Sequence, residues 1–177
     1  MRKRILGIDP GSRIAGFGIL EFSPNGDIFH IASGALNVVS ESASFYDRLH
    51  RLGLAFREVI QKYEPEAVAV ENIFLGKNAD SAFKLGHARG VIAYEVLLRG
   101  LPVFEYSTRA IKKTVTGSGA AEKLQVQNVL KILLKINSFT HFDASDAVAV
   151  AYHHAVAEIS ELRLRRGAGK SRGAEVR

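Results

Sequence analysis

Four acidic residues occupy positions where solubility does not require them. Asp9 closes the apolar run ILGID, Glu71 closes AVAVE, and Asp143 and Asp146 stand three residues apart at the head of DASDAVAVA. Each has an ordinary structural explanation. Asp9, before Pro10 and Gly11, can start a tight turn; Asp143 and Asp146 can cap a helix and meet its dipole; Glu71 can mark where a buried strand reaches water. Together they allow more. Ligands of open sheets gather where strand ends and helix starts converge, and carboxylates held there without partners repel one another and carry raised pKa values. Such a site calls for cations. With no cysteine in the chain and no evident histidine triad, an all-oxygen set points to hard ions, Mg²⁺ or Mn²⁺. Two such ions can activate water and stabilise the leaving oxygen of a phosphodiester, which is nuclease chemistry.

The elements that must position these acids are readable from periodicity. Residues 4–9, 14–22 and 28–38 are short segments rich in Ile, Leu, Phe and Val, separated by DPGSR and SPNGD, and are predicted as three strands joined by tight hairpin connections. Phe45, Leu49, Leu52, Phe56, Val59, Ile60 and Tyr63 recur at helical spacing up to Pro65, which ends the helix. A strand at 67–71, a helix from Ala79 to Arg99 and a fifth strand at 102–106 follow, then helices at about 107–115, 122–136 and 143–159. Three strands, then alternating helices and strands, imply an α/β domain with a mixed five-stranded sheet flanked by helices.

The 177 residues suit one domain with its own core. The net charge of +6 hints at an anionic partner. Residues 160–177, however, hold six Lys/Arg against two Glu, so the rest of the chain carries only a small excess. That segment is expected to be a disordered basic tail beyond a folded domain of residues 1–159. The absence of cysteine agrees with a reducing compartment, and neither the basic start nor AVAVAYHHAVA is long enough in apolar residues to be a signal or a membrane span. A cytoplasmic protein without a membrane partner is expected.

Other segments offer nucleic-acid contacts. Phe74, Lys77 and Asn78 share one stretch with Glu71, where an aromatic ring can stack on an unpaired base or simply cap the core. Arg109, Lys112, Lys113 and Lys123 can meet phosphates, and a solvated helix face explains them equally well from spacing alone. Ala82, Gly86 and Gly90 form a smooth stripe on the 79–99 helix that permits close approach of the sheet or of a second copy of the chain. TGSGAAEK lacks the spacing of a phosphate loop and is read as a connection, and His153 and His154 are assigned to packing.

The segments LGIDPGSRIAGFGIL, VAVENIFLGKNADSAFKLGHARGV, LPVFEYSTRAIKKTVTGSGAAEKLQVQ and DASDAVAVA, in that order, resemble the RuvC family of Holliday-junction resolvases over residues 4–158. The resemblance implies a ribonuclease H-like nuclease domain and Mg²⁺-dependent paired cuts in a four-way DNA junction, serving recombination and repair. It also implies a homodimer and a branch-migration motor of the RuvA and RuvB type as partner. Carried over by position, the family's catalytic and metal-binding acids fall on Asp9, Glu71, Asp143 and Asp146, its junction-contacting phenylalanine on Phe74, and its lysines on Lys112 and Lys123. Two alternatives remain at this point: a junction-binding protein without catalysis, and an actin-like or sugar-kinase-type ATPase, suggested by GIDPGS before a hairpin.

Overall fold

The computed structural model describes residues 2–40, 43–72 and 78–171, with side chains of the last helix described as far as Arg165. Strands β1 (Lys3–Asp9), β2 (Ile14–Phe22) and β3 (Ile28–Asn37) precede helix α1 (Phe45–Tyr63), strand β4 (Ala67–Glu71), helix α2 (Ala79–Leu97) and strand β5 (Val103–Tyr106). Helices α3 (Thr108–Thr116), α4 (Lys123–Leu134) and α5 (Phe142–Ser171) complete the chain. The sheet runs β3-β2-β1-β4-β5, antiparallel through the two hairpins and parallel from β1 to β4 and β5. The expected mixed five-stranded sheet is therefore present.

Local chemistry sets the boundaries. Ser44 and Asp47 form a reciprocal capping box at the start of α1, satisfying two of the amides that a helix start leaves unpaired. Glu64 leaves the helix in a left-handed conformation, and Pro65 forbids its continuation. Gly117 gives α3 a left-handed C-cap, which is the role of the TGSG segment. Helix α5 passes the expected helix end at residue 159 and is described as helical to Ser171. Leu and Arg in SELRLRR are strong helix formers. Glu161 and Arg165 pair one turn apart, and Arg163 donates to the Asn25 carbonyl in the β2–β3 turn at 2.9 Å. Among the described residues no helix is long and apolar enough to cross a membrane.

Strand parity divides the core. Ile5 and Ala67 and Ala69 face α3, α4 and α5, whereas Leu6, Ile8, Val68 and Val70 face α1 and α2. Asp9 and Glu71 continue the first set, so both acids end on the α5 face. That face is unusually close to its helix. A Cβ at Gly7 would lie 2.1 Å from the Ala147 carbonyl oxygen, one at Gly18 would lie 2.6 Å from the Val148 side chain, and one at Gly16 would lie 1.9 Å from the Asp143 carbonyl oxygen. Glycine in the strands and Ala144, Ala147 and Ala151 in the helix let α5 lie directly on β1 and β2. Gly7→Ala is expected to cost about 1–3 kcal/mol or more by overpacking. The measurement is a urea midpoint that falls without a change in slope; a wild-type midpoint would show that α5 can back away.

Candidate active site

The acids of β1 and β4 lie side by side because the strands are parallel and in register, Ile8 opposite Val70. On β2, Gly16 is the partner of Asp9, and the Asp143 backbone rests on that glycine. The first turn of α5 is thereby brought over the ends of β1 and β4. Asp9, Glu71 and Asp146 line one cleft together with Thr108, Ile111 and Lys112 of α3 and with Lys123 and Val126 of α4. Asp143 stands outside this lining and reaches Asp9 through its charge.

Electrostatics shows how close the acids are. Burial, then the charges of Asp146, Glu71 and Asp143, push the Asp9 carboxyl up from 3.8 to about 7, and Lys123 opposes them. Burial disfavours the ionised form, and three like charges add to it. Lys123 donates to Asp146 Oδ2 at 2.6 Å, and this bond together with the carboxylates holds the ammonium more firmly protonated than usual, against its partial desolvation. Thr108 Oγ1 donates to Glu71 Oε1. Among the described residues no three carboxylate or imidazole groups stand close enough together, as they are placed, to hold one metal ion. With Lys123 on Asp146 and Thr108 on Glu71, two of the acids are already engaged. The donor set itself fits a hard cation: all oxygens, an excess of negative charge, and one carboxyl that ionises with difficulty until positive charge arrives.

The other anticipated residues fall in three groups. Lys112 and Lys123 lie in the cleft lining. Arg109 and Lys113 are exposed on α3, and Asn78 is the N-cap of α2, its side chain accepting from the Ser81 amide at 3.2 Å. Phe74 and Lys77 lie outside the described residues. His154 is buried, with Nδ1 2.7 Å from the Tyr106 hydroxyl, and His153 bonds Thr114, so both serve packing away from the acids.

Residues 5–154 match the family model described as Crossover junction endodeoxyribonuclease RuvC. A curated relative of that name from Bdellovibrio bacteriovorus is 56% identical over 151 residues, covering 85% of this chain and 89% of its own. The chain belongs to the RuvC family. A second RuvC relative, from Pseudomonas fluorescens, is 43% identical and covers 98% of both chains. Among solved structures, T. thermophilus RuvC in complex with Holliday junction substrate superposes with a TM-score of 0.82 at 26% identity, covering 90% of this chain and 97% of that one. A yeast mitochondrial Holliday junction resolvase, at 12% identity and a TM-score of 0.70, shares the fold. The sheet and its helices are thus the ribonuclease H-like architecture of RuvC.

Sequence reasoning missed Thr108 and Arg89. Thr108 opens α3 two residues after the end of β5, and its place beside Glu71 depends on β5 lying next to β4, a pairing that no local pattern announces. Arg89 donates from α2 to the Glu71 carbonyl oxygen at 2.8 Å.

The shift of Asp9 has a defined sign. Its folded pKa lies above the unfolded value, so the stability it contributes is complete below about pH 3.8 and is lost as the pH rises through about 7. Cation-free protein is expected to lose up to about 1.4 kcal/mol per pH unit in that window through this group. Asp9→Asn, neutral throughout, removes that part of the slope. Urea midpoints of both proteins between pH 5 and 7.5 in chelator test this, and parallel slopes would refute it.

Proposed function

We propose that this chain is a divalent-cation-dependent, structure-selective endonuclease that resolves four-way DNA junctions by symmetric paired cuts. The observation that carries the reading is the joining of Asp9, Glu71 and Asp146 with Lys112 and Lys123 in one cleft, with the Asp143 charge acting on Asp9. A wall of acids next to a wall of amines suits a phosphodiester approached through cations on one side and ammonium groups on the other. The names of the relatives, crossover junction endodeoxyribonucleases, agree with it.

Asp9, Glu71, Asp143 and Asp146 would hold the cations, with Mg²⁺ the expected ion and Mn²⁺ its substitute. Bound there, the ions supply Lewis acidity and charge neutralisation for hydrolysis, in which a water oxygen bonds to phosphorus as a bridging P–O bond breaks. Lys123 exchanges Asp146 for the phosphate backbone, and Lys112 adds a second positive charge to the same cleft. Arg109, Lys113, Asn78 and Lys77 extend the contact along the DNA, the last two from the stretch that follows Glu71, and Phe74 is assigned to it by family position. Work in the cytoplasm, in recombination and repair, beside a branch-migration motor, completes the proposal.

Two cuts related by symmetry suit a homodimer, and α2 offers the surface. Phe83, Tyr94 and Leu97 are exposed on it and Leu98 at its C-cap, and a Cβ at Gly86 or Gly90 would meet no described residue within 4 Å. Glycine costs about 1 kcal/mol relative to Ala inside a helix, and no described residue of the chain packs against these two. Contact with the α2 of a second copy accounts for both features.

Asp9→Asn is expected to bind a synthetic four-way junction normally while cutting it at least about 100-fold more slowly, a larger effect than changes outside the ligand set typically give. Chelator should abolish cutting by the wild-type protein. Near-wild-type cleavage by the variant, or activity in excess chelator, would sink the reading. Gly86→Leu is expected to shift the sedimenting species from dimer to monomer with the helical signal retained; an unchanged dimer would move the interface elsewhere.

A further inference from the structure

Glu71 is held from two opposite sides. On the cleft side its carboxylate accepts from Thr108. On the other, Arg89 reaches up from the middle of α2. Its Nη1 donates to the Glu71 carbonyl oxygen at 2.8 Å and its Nη2 pairs with the Glu105 carboxylate. Glu105 is the register partner of Val70, so it projects from the face that carries α1 and α2 rather than from the cleft face. The guanidinium therefore joins three elements, α2 and the adjacent ends of β4 and β5, without entering the cleft.

Neither contact is needed to build those elements. The β1–β4 ladder has ended at Ile8 and Val70, and the Asn72 amide is already satisfied by the Tyr106 carbonyl at 2.8 Å. What α2 otherwise offers the sheet is apolar packing through Ala88, Ile92 and Val96. Such packing is non-directional. A planar two-donor fork is directional, and with the Arg89 side chain only 19% exposed its bond to the Glu71 carbonyl is little weakened by water, while the arm to Glu105, 54% exposed, is the more screened of the two.

We propose that Arg89 is a positioning residue for the nuclease reaction: it fixes the backbone of Glu71 and so sets where that carboxylate stands relative to Asp9 and Asp146. The inference rests on the proposed cation-dependent activity but concerns a residue that touches neither cation nor DNA. Loss of the fork leaves the strand end free to shift by fractions of an ångström, which an acid-lined cleft feels as weaker cation binding, whereas the DNA-facing amines stay in place.

The test compares wild type with Arg89→Met, Arg89→Lys and Glu105→Gln. Mn²⁺ binding to DNA-free protein is measured by calorimetry, junction affinity in chelator by gel shift, single-turnover cleavage against Mg²⁺ concentration, and folding by thermal melts. Arg89→Met is expected to weaken Mn²⁺ binding and to raise the Mg²⁺ needed for half-maximal cleavage by about 10-fold or more, the range seen for residues that orient metal ligands. Junction affinity should stay unchanged. Arg89→Lys, which replaces the fork by a single point donor, and Glu105→Gln, which leaves the bond to Glu71, should shift the same quantities less. A folded Arg89→Met protein with wild-type Mn²⁺ affinity overturns the proposal, as does a parallel loss of junction and Mn²⁺ binding. Should Arg89→Met not fold, wild-type Mn²⁺ affinity in both other variants overturns it. Wild-type protein that binds Mn²⁺ but leaves a junction uncut would refute the nuclease reading instead, because the Arg89 assignment is read on Mn²⁺ binding.

Discussion

The closeness of α5 to the sheet is the constraint on which the rest depends. Side chains on the facing strands would normally hold a helix about 10 Å from a sheet, as they do between stacked sheets. Here the strands present Gly7, Gly16 and Gly18, and the helix presents Ala144, Ala147, Val148 and Ala151, so backbone meets backbone. The result is more than tight packing. Contact between the Asp143 carbonyl and Gly16, the register partner of Asp9, fixes the first turn of α5 over the strand ends. An interior packed near crystalline density resists the small displacement that would relieve repulsion among the acids. Steric closeness thus holds together charges that would separate if they could.

That repulsion has visible counterweights. Asp143 sits in the first turn of α5, where the helix dipole favours negative charge, and Asp146 follows one turn on. Lys123, by contrast, opens α4, where the dipole disfavours a cation, and the N-cap of that helix makes no side-chain bond. Two unfavourable local features at one helix start are compensated by the bond to Asp146. The ammonium supplies the positive charge this arrangement of acids demands. A cleft built in this way is prepared for exchange, since an incoming cation and a phosphate can take over the two halves of the same ion pair.

Much of this was legible in the sequence, because the relevant patterns are local. ILGID and AVAVE each place an acid one step beyond a buried strand, and a period of two fixes which face that acid takes once the apolar residues choose theirs. The spacing of Asp143 and Asp146 put both on one helical face. The glycines of IAGFGIL were visible as residues, but their purpose needs the partner helix. Thr108 and Arg89 were hidden for the same reason: each acts across a junction between elements distant in sequence, and nothing in STR or HARG distinguishes a positioning side chain from a surface one. The extension of α5 past residue 159 was hidden likewise, because its anchor, Arg163 on the β2–β3 turn, is one that only the fold supplies.

The two kinds of restraint in the cleft are unequal, and the difference has mechanical content. Asp9, Asp143 and Asp146 are placed by backbone contact between β1, β2 and α5, which yields little. Glu71 ends a strand of five residues and is placed by hydrogen bonds, from Thr108 on one side and Arg89 on the other. Hydrogen bonds to a strand end can lengthen or re-pair at a cost of about 1 kcal/mol each, far less than forcing a carbonyl off a glycine. Glu71 is therefore the adjustable member of the set. The helix that carries its backbone donor is also the one whose Gly86 and Gly90 meet no other described residue, so any force applied to the outer face of α2 is transmitted first to the acid with the least rigid support.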